Sequence, residues 1–504
     1  MKLHAPTTIY SLLENQAKQR PHHLALIGER AYTYREFLNS VLSFVSVLRS
    51  KYHVKPKQRV GIYLPNIPEH AIALFALNRI GAIAVVLNIR LDESNLRFII
   101  EDAGISLLIT QKDSQNFFKK VFPAVQTIAR EDEIQPSSAQ SFSTILKQEY
   151  QRQIPTGKDD VALLMYTSGT TGTPKGAMMT NANLLFNCAS SKRGFGLTKN
   201  DIHLIVVPLF HVTGLNSQLL ASIAMGSTAI LLKKYDTAQV MRLLKKYNVT
   251  IFIAVPAVFN LLIAKYRRIL TQLEALQKIG YAGAPMPVRT ILTFKKYLPR
   301  IQCYNFYGLT ETSSITTVLP DRYALKTPDS VGIPAKGVQI KIVDEHGKEV
   351  AIGEQGELWI KGGNIVKGYW NNVQKTKETI TNGWLHSGDI ARIDQKRRVF
   401  LMGRKKEVIN RGGEKIYPIT LENKLCNHPK IVEAAVVGVP DKIFGEAVRV
   451  YIVKKASAHF SEEEFFDYCR SVCSEYEIPR DVIFIPELPR NANGKVQKDI
   501  LRTL

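Results

Sequence analysis

Apolar positions along this chain follow two periods that alternate. Between 8 and 20 they recur at helical spacing, with Leu12, Leu13 and Ala17 on one face and Pro21 as the stop. A short apolar run at 24–27 predicts a strand, Gly28 a turn, and helical periodicity returns from about 34 to 50. Runs at 60–64, 83–87 and 107–110 read as buried strands, with helical stretches near 69–78 and 94–102 between them. Such alternation predicts a parallel sheet covered on both faces. Residues 130–160, rich in Gln, Ser, Glu and Lys, predict an exposed connection carrying one helix.

The alternation resumes with strands at 161–166, 177–179, 203–207, 228–232, 249–254, 278–282 and 301–306, and helices at 237–247 and 287–297. Beyond 330 the pattern shortens to alternating strands such as 338–343 and 356–360, which predicts a small barrel-like β subdomain. From about 405 a compact α+β segment follows, with strands at 432–439 and 448–453 and a helix at 462–473. In sheets of this kind the ligand crevice lies beyond the carboxyl ends of the strands. The chemically unusual loops fall there: YTSGTTGTPKG at 166–176, PLFH at 208–211, GAP at 283–285 and GLTE at 308–311.

The first loop sets the chemistry. Its glycines let backbone N–H groups approach an anion, its hydroxyls add donors, and Lys175 adds charge, which together suit a polyphosphate. It is not a Walker A loop, because Pro174 precedes the lysine and Gly176 follows it. Eleven residues in this order resemble the signature of the adenylate-forming superfamily, which includes acyl-CoA synthetases, peptide-synthetase adenylation domains and firefly-type luciferases.

The resemblance covers nearly the whole chain, and it implies a function. The expected architecture is α/β, with a large N-terminal domain (1–402) of two doubly wound sheets plus the β-barrel-like subdomain, a hinge at 403–406, and a small mobile α+β C-terminal domain (407–504). It implies ATP and CoA as substrates and magnesium as cofactor. Thr167, Ser168, Gly169, Thr170, Thr171, Gly172 and Lys175 would cradle phosphates. Tyr307 would stack on adenine with Gly283 and Ala284 opposite, Asn305 would bond its amino group, and Gly308 and Thr310 would line the nucleotide. Glu311, with help from Thr167, would hold magnesium. Asp389 would accept the ribose hydroxyls beside Arg404. Lys495 resembles the catalytic lysine that bridges the acid's carboxylate and the α-phosphate, with His211, Thr310 and Glu311 completing the catalytic set. Family members rotate the small domain about a hinge residue, here Lys406, bringing the Asn410, Gly412 and Gly413 loop toward the thiol.

His211 resembles the gate beside the acid. Val212, Leu215, Ala254, Val255, Val258 and Phe259 are the candidate pocket. An apolar Val212 offers no partner to an ammonium, so the expectation is a fatty acid, with an aryl-acid ligase or an acyl-carrier-protein loading ligase as alternatives. No carrier domain follows Leu504, which favours free CoA. A catalytically silent adenylate-binding homologue is disfavoured because Lys495, Glu311 and Asp389 are all present.

Charge and cysteines change the picture little. A net charge of +23 suits anionic partners, yet no nucleic-acid-binding motif appears, so no specific nucleic acid is expected. The basic balance leaves open a peripheral contact with anionic membranes, and a homodimer is left open as well. Five scattered cysteines and an N-terminus without an apolar run predict a reduced, cytoplasmic protein.

Overall fold

The computed structural model describes residues 6–134, 147–149, 152, 156–167, 173–284, 286–455, 459–490 and 496–504. Strands cluster into three sheets. The first has six strands in the order Gln126–Ala129, Leu107–Thr110, Arg59–Ile62, Ile83–Val86, Val161–Thr167 and Lys175–Thr180. All pairs are parallel except the last, where Val161–Thr167 and Lys175–Thr180 run antiparallel around the phosphate-type loop.

The second sheet joins 14 strands. Its parallel part runs through Leu24–Ile27, Thr228–Leu231, Ile202–Ile205, Ile251–Ala254, Lys278–Tyr281 and Gln302–Tyr307. The β subdomain expected beyond 330 is hydrogen-bonded continuously with this sheet. Thr317–Leu319 and Ser330–Pro334 carry the hydrogen bonding, now antiparallel, into Val399–Arg404, Trp384–Ile393, Gln355–Gly362 and Val338–Val343.

Burial differs between the two ends of the sheet. Ile251–Ala254 and Lys278–Tyr281 are buried at every position, because helices cover both faces. Trp384–Ile393 buries alternate residues, as a sheet with one covered face does. Helix Tyr34–Ser50 packs on Pro68–Ile80, with Phe37 and Phe75 edge to face at 5.3 Å. Its start is fixed by a reciprocal cap in which Glu36 N–H donates to Thr33 Oγ1 at 3.2 Å and Thr33 N–H to Glu36 Oε2 at 2.8 Å.

The third sheet is built on the hairpin Ile431–Asp441 and Gly445–Lys454, with Ile409–Arg411, Glu414–Ile416 and Asp481–Phe484 alongside. It has its own core, including Ile409, Leu421, Val436 and Phe465. Among the described residues no helix is long and apolar enough to cross a membrane.

One buried titratable group lies in the first domain's core. His70 Nδ1 donates to the Leu64 carbonyl at 3.1 Å, and burial pulls its pKa down to about 4 despite that bond. The unfolded chain protonates this imidazole near pH 6.5 while the folded chain keeps it neutral, so stability is full above that pH. It falls as pH drops toward 4, by at most about 3 kcal/mol. His70→Gln, which keeps a donor and removes the titration, is expected to flatten the fall of Tm between pH 6.5 and 4. Superimposable Tm profiles of variant and wild type would rule this out.

Candidate active site

The nucleotide-type loops are rooted in the two main sheets. Strand Gln302–Tyr307 leads into Gly308 and a short turn, Thr310–Thr312. The chain then folds back so closely that a Cβ on Gly308 would sit 1.3 Å from the Ser314 carbonyl oxygen. Ser313 and Ser314 take left-handed φ values of 51° and 116° to make the return. Buried polar residues behind the loop hold it: Asn216 Nδ2 donates to Ser313 O at 2.8 Å, and Ser217 Oγ lies 2.6 Å from Ser314 Oγ. Glu311 is thereby presented at the mouth, where Tyr369 OH donates to its Oε1 at 2.7 Å and Val366 N–H to its carbonyl at 3.0 Å.

Asn305 Nδ2 donates to Ser330 O at 2.9 Å. That bond sets the amide so that Oδ1 remains an acceptor, the sense an adenine amino group requires.

The ribose-type group is already assembled. Asp389 and Arg404 face each other across neighbouring antiparallel strands. Arg404 Nε lies 2.9 Å from Asp389 Oδ1, and Tyr307 OH donates to Asp389 Oδ2 at 2.5 Å. Ser387 steadies both, accepting from Asp389 N–H through Oγ at 3.0 Å and from Arg404 Nη1 through its carbonyl at 3.2 Å. Burial, then the Asp389 charge, pushes the Tyr307 phenol far above its ordinary pKa, so it stays protonated and donates to Asp389. Burial opposes the Arg404 charge, but Asp389 and the other acids nearby more than offset it. A carboxylate oxygen has two lone pairs, so Asp389 retains acceptor capacity for hydroxyls.

The roots of the 166–176 loop are braced from behind. Tyr166 OH donates to Asp102 Oδ2 at 2.5 Å, and Trp370 Nε1–H donates to the Asp102 carbonyl at 3.2 Å. Trp370 N–H donates to Gly176 O at 2.8 Å, and Thr167 pairs in register with Lys175. Lys175 Nζ lies 5.9 Å from the Tyr369 ring centre, and burial followed by Lys375 lowers its pKa. Ser168, Gly169, Thr170, Thr171 and Gly172 lie outside the described residues, as does Lys495.

Around the acid site, His211 Nδ1 accepts from Thr213 N–H at 3.2 Å, which leaves the ring proton on Nε2. Neighbouring atoms partly desolvate the imidazole and lower its pKa, although the residue is exposed. The chain continues into a π-helical turn, Thr213–Leu220, a form concentrated at functional sites. Gly214 permits it, since a Cβ there would lie 2.3 Å from Pro208 O. Val255, Gly283 and Ala284 are exposed and Val258 is half-buried at the mouth, whereas Val212, Leu215 and Ala254 are buried. Phe259 is closed into the core edge-on to Phe252 and Phe294, at 5.4 and 5.6 Å.

Lys406 is exposed in the turn Lys405–Glu407. Asn410 Oδ1 accepts from Gly413 N–H at 3.0 Å across a hairpin tip where Gly412 N–H donates to Phe444 O at 2.8 Å. These residues belong to the third sheet. The structure thus brings Tyr307, Asp389 and Arg404 into direct contact, and places both Glu311 and Lys175 near Tyr369. Tyr369 and Ser330 escaped the sequence reading because nothing local marks a residue whose partner is remote, and Ser387 escaped it because its bond to Asp389 N–H, two residues on, reads as an ordinary turn.

The family model described as AMP-binding enzyme matches residues 13–370, and that of the AMP-binding enzyme C-terminal domain matches residues 420–495. The chain is 32% identical over 496 residues to a feruloyl-CoA synthase of an Amycolatopsis species, covering 97% of each. It is 33% identical over 488 residues to the 2-succinylbenzoate–CoA ligase of Bacillus licheniformis, covering 96% of this chain and 98% of the relative. The o-succinylbenzoate CoA synthetase of Bacillus subtilis, solved with its acyl-adenylate intermediate and also with ATP and magnesium, matches with a TM-score of 0.87 in both complexes. There the identity is 30%, and 97 to 98% of each chain is covered. With both halves of the fold, the cleft loops and full-length likeness in agreement, the chain belongs to the AMP-binding family of adenylate-forming acyl-CoA ligases.

Proposed function

We propose that the acid is an aryl carboxylic acid, activated as its acyl-adenylate and passed to CoA. The observation that carries this reading is near-full-length likeness to CoA ligases named for feruloyl and 2-succinylbenzoate substrates. The pocket is compatible with it. Val212, Leu215 and Ala254 are buried and apolar beside the more exposed Val255 and Val258, and Phe259 is packed into the core against Phe252 and Phe294. The apolar wall that favoured a fatty acid serves an aromatic ring equally well, because it excludes charge without specifying shape.

The chemistry begins with two anions that must meet. In this reading His211, neutral and with Nε2–H turned to the site, flanks the carboxylate without adding charge. Tyr307, Asp389 and Arg404 hold the nucleoside, and Asn305 Oδ1 reads the adenine amino group. Lys175 and the 168–172 loop grip the outgoing phosphates. Lys495 is assigned to the carboxylate and α-phosphate, where a fixed cation stabilises the pentavalent transition state. Glu311, whose carboxylate is held by Tyr369, offers a hard oxygen ligand of the kind magnesium takes, and the Thr310 and Thr167 hydroxyls are assigned as its helpers, since magnesium keeps several waters and phosphate oxygens rather than an all-protein cage. When bound, the ion supplies charge neutralisation of the polyphosphate. In the second step the thiol displaces AMP, with the Asn410–Gly413 hairpin assigned to the thiol side.

The test is turnover of purified protein with Mg-ATP and CoA over benzoate- and cinnamate-type acids, straight-chain fatty acids and amino acids, following pyrophosphate and CoA together. An aryl acid is expected to exceed every straight-chain acid in kcat/KM by about tenfold or more. A maximum at one aliphatic chain length would overturn the aryl assignment. Pyrophosphate without CoA consumption would redirect it to carrier-protein loading.

A further inference from the structure

Glu407, Lys498 and Glu422 form a buried charged cluster outside the acid pocket, and the Glu407 charge also reaches Arg404 of the ribose-type group. Lys498 Nζ lies 2.6 Å from Glu422 Oε1 and 3.4 Å from Glu407 Oε2, and the three side chains are 12%, 17% and 10% exposed. The ammonium bridges the two carboxylates as an ion pair. Glu422 Oε1 also accepts from Val436 N–H at 2.8 Å, which anchors it to the third sheet. Burial pushes the Glu422 carboxyl up and Lys498 pulls it back, as expected where two carboxylates share one cation.

The cluster connects two segments that the reaction must coordinate. Glu407 ends the turn Lys405–Glu407 and directly follows the assigned hinge residue, Lys406. Lys498 opens the helix Lys498–Thr503, three residues after Lys495. On either side of 491–495 the chain is pinned: Arg490 bridges Val496, and Gln497 N–H donates to Pro489 O at 2.8 Å. The helix beyond is docked by Tyr451 OH, which donates to Leu501 O at 2.7 Å. One lysine therefore ties the hinge turn to the stem that leads to Lys495. A buried ion cluster is a poor source of stability compared with apolar packing of the same volume, so its value here is in fixing relative position.

We propose that Glu407 and Lys498 are positioning residues that make the hinge turn and the stem of Lys495 move as one body, so that the hinge setting dictates where Lys495 is delivered. This rests on the role assigned to Lys495 above. Glu407→Gln tests it, because it keeps the shape and leaves the closer Lys498–Glu422 pair to hold the fold. Acyl-adenylate formation is expected to lose about tenfold in kcat with KM for ATP unchanged. Transfer from supplied acyl-adenylate to CoA, in which Lys495 has no part, should stay within about twofold of wild type. Lys498→Arg, which can span both carboxylates, should retain both rates. Equal loss in both half-reactions, or no loss in either, overturns the proposal.

A second measurement does not depend on the acid. Hydrogen exchange of the substrate-free Glu407→Gln protein should rise together in peptides covering the hinge turn and the 489–497 stem. A rise confined to the hinge overturns the strut even if turnover falls. Failure of the aryl reading looks different, since it appears as a wild-type protein that activates no aryl acid.

Discussion

Gly308→Ala is expected to abolish acyl-adenylate formation and to lower stability by about 3 kcal/mol or more. The added carbon would lie 1.3 Å from the Ser314 carbonyl oxygen and 2.4 Å from its carbon. Both are backbone atoms, so no rotamer change relieves the clash, and the returning loop must separate from the strand end. Separation pulls Ser313 and Ser314 away from Asn216 and Ser217, leaving buried polar groups unpaired. It also moves Glu311 relative to Tyr307, the two ends of the nucleotide site. Pyrophosphate release and a thermal melt, with circular dichroism to confirm a folded protein, measure the effect. Activity within tenfold of wild type would show that the loop tolerates the displacement, against this account.

Lys406→Pro is expected to cut acyl transfer to CoA by about a hundredfold while adenylate formation falls less than about fivefold. A proline ring fixes φ at that position, in the turn Lys405–Glu407, and so holds the hinge to one backbone setting. The large N-terminal part keeps its assembled Tyr307–Asp389–Arg404 group, so nucleotide recognition is retained. What is lost is the swing that exchanges one face of the small domain for the other. Single-turnover rates of the two half-reactions provide the measurement, and equal losses in both would sink the hinge assignment. The signature is opposite to that of Glu407→Gln, although the two residues are neighbours.

Much of the architecture was legible because its strands are short and covered on both faces. Runs such as Leu107–Thr110 and Lys278–Tyr281 are buried throughout and stand out from their surroundings. Helix Asn181–Phe195 did not stand out, because its buried face carries Asn183, Asn187, Ser190 and Ser191 instead of an apolar stripe. That polar layer meets Ser217 of the π-helical turn, so two irregularities conceal each other from a pattern search. The fusion of the antiparallel strands to the parallel sheet was illegible for another reason. It depends on Thr317–Leu319, three residues long, whose partners are set by tertiary packing.

The candidate site divides in the same way. Motif order supplied the names of Tyr307, Glu311, Asp389 and Arg404. The contacts that orient them, Tyr307 to Asp389 across 82 positions and Tyr369 to Glu311 across 58, have no local trace. The acid itself was least legible, since apolar walls encode dryness and size only through their packing.

The brace behind the phosphate-type loop gives the chain an optical handle. Of its three tryptophans, Trp359 is stacked on His386 at 3.9 Å, and Trp384 lies under the ammonium groups of Lys341 and Lys361. Trp370 alone among them bonds both to Gly176 at the loop's root and to Asp102 beneath Tyr166. Any change at the roots of that loop, Tyr166 and Gly176, is therefore carried to the surroundings of an intrinsic fluorophore, and stopped-flow emission can follow it without a label or a coupled assay.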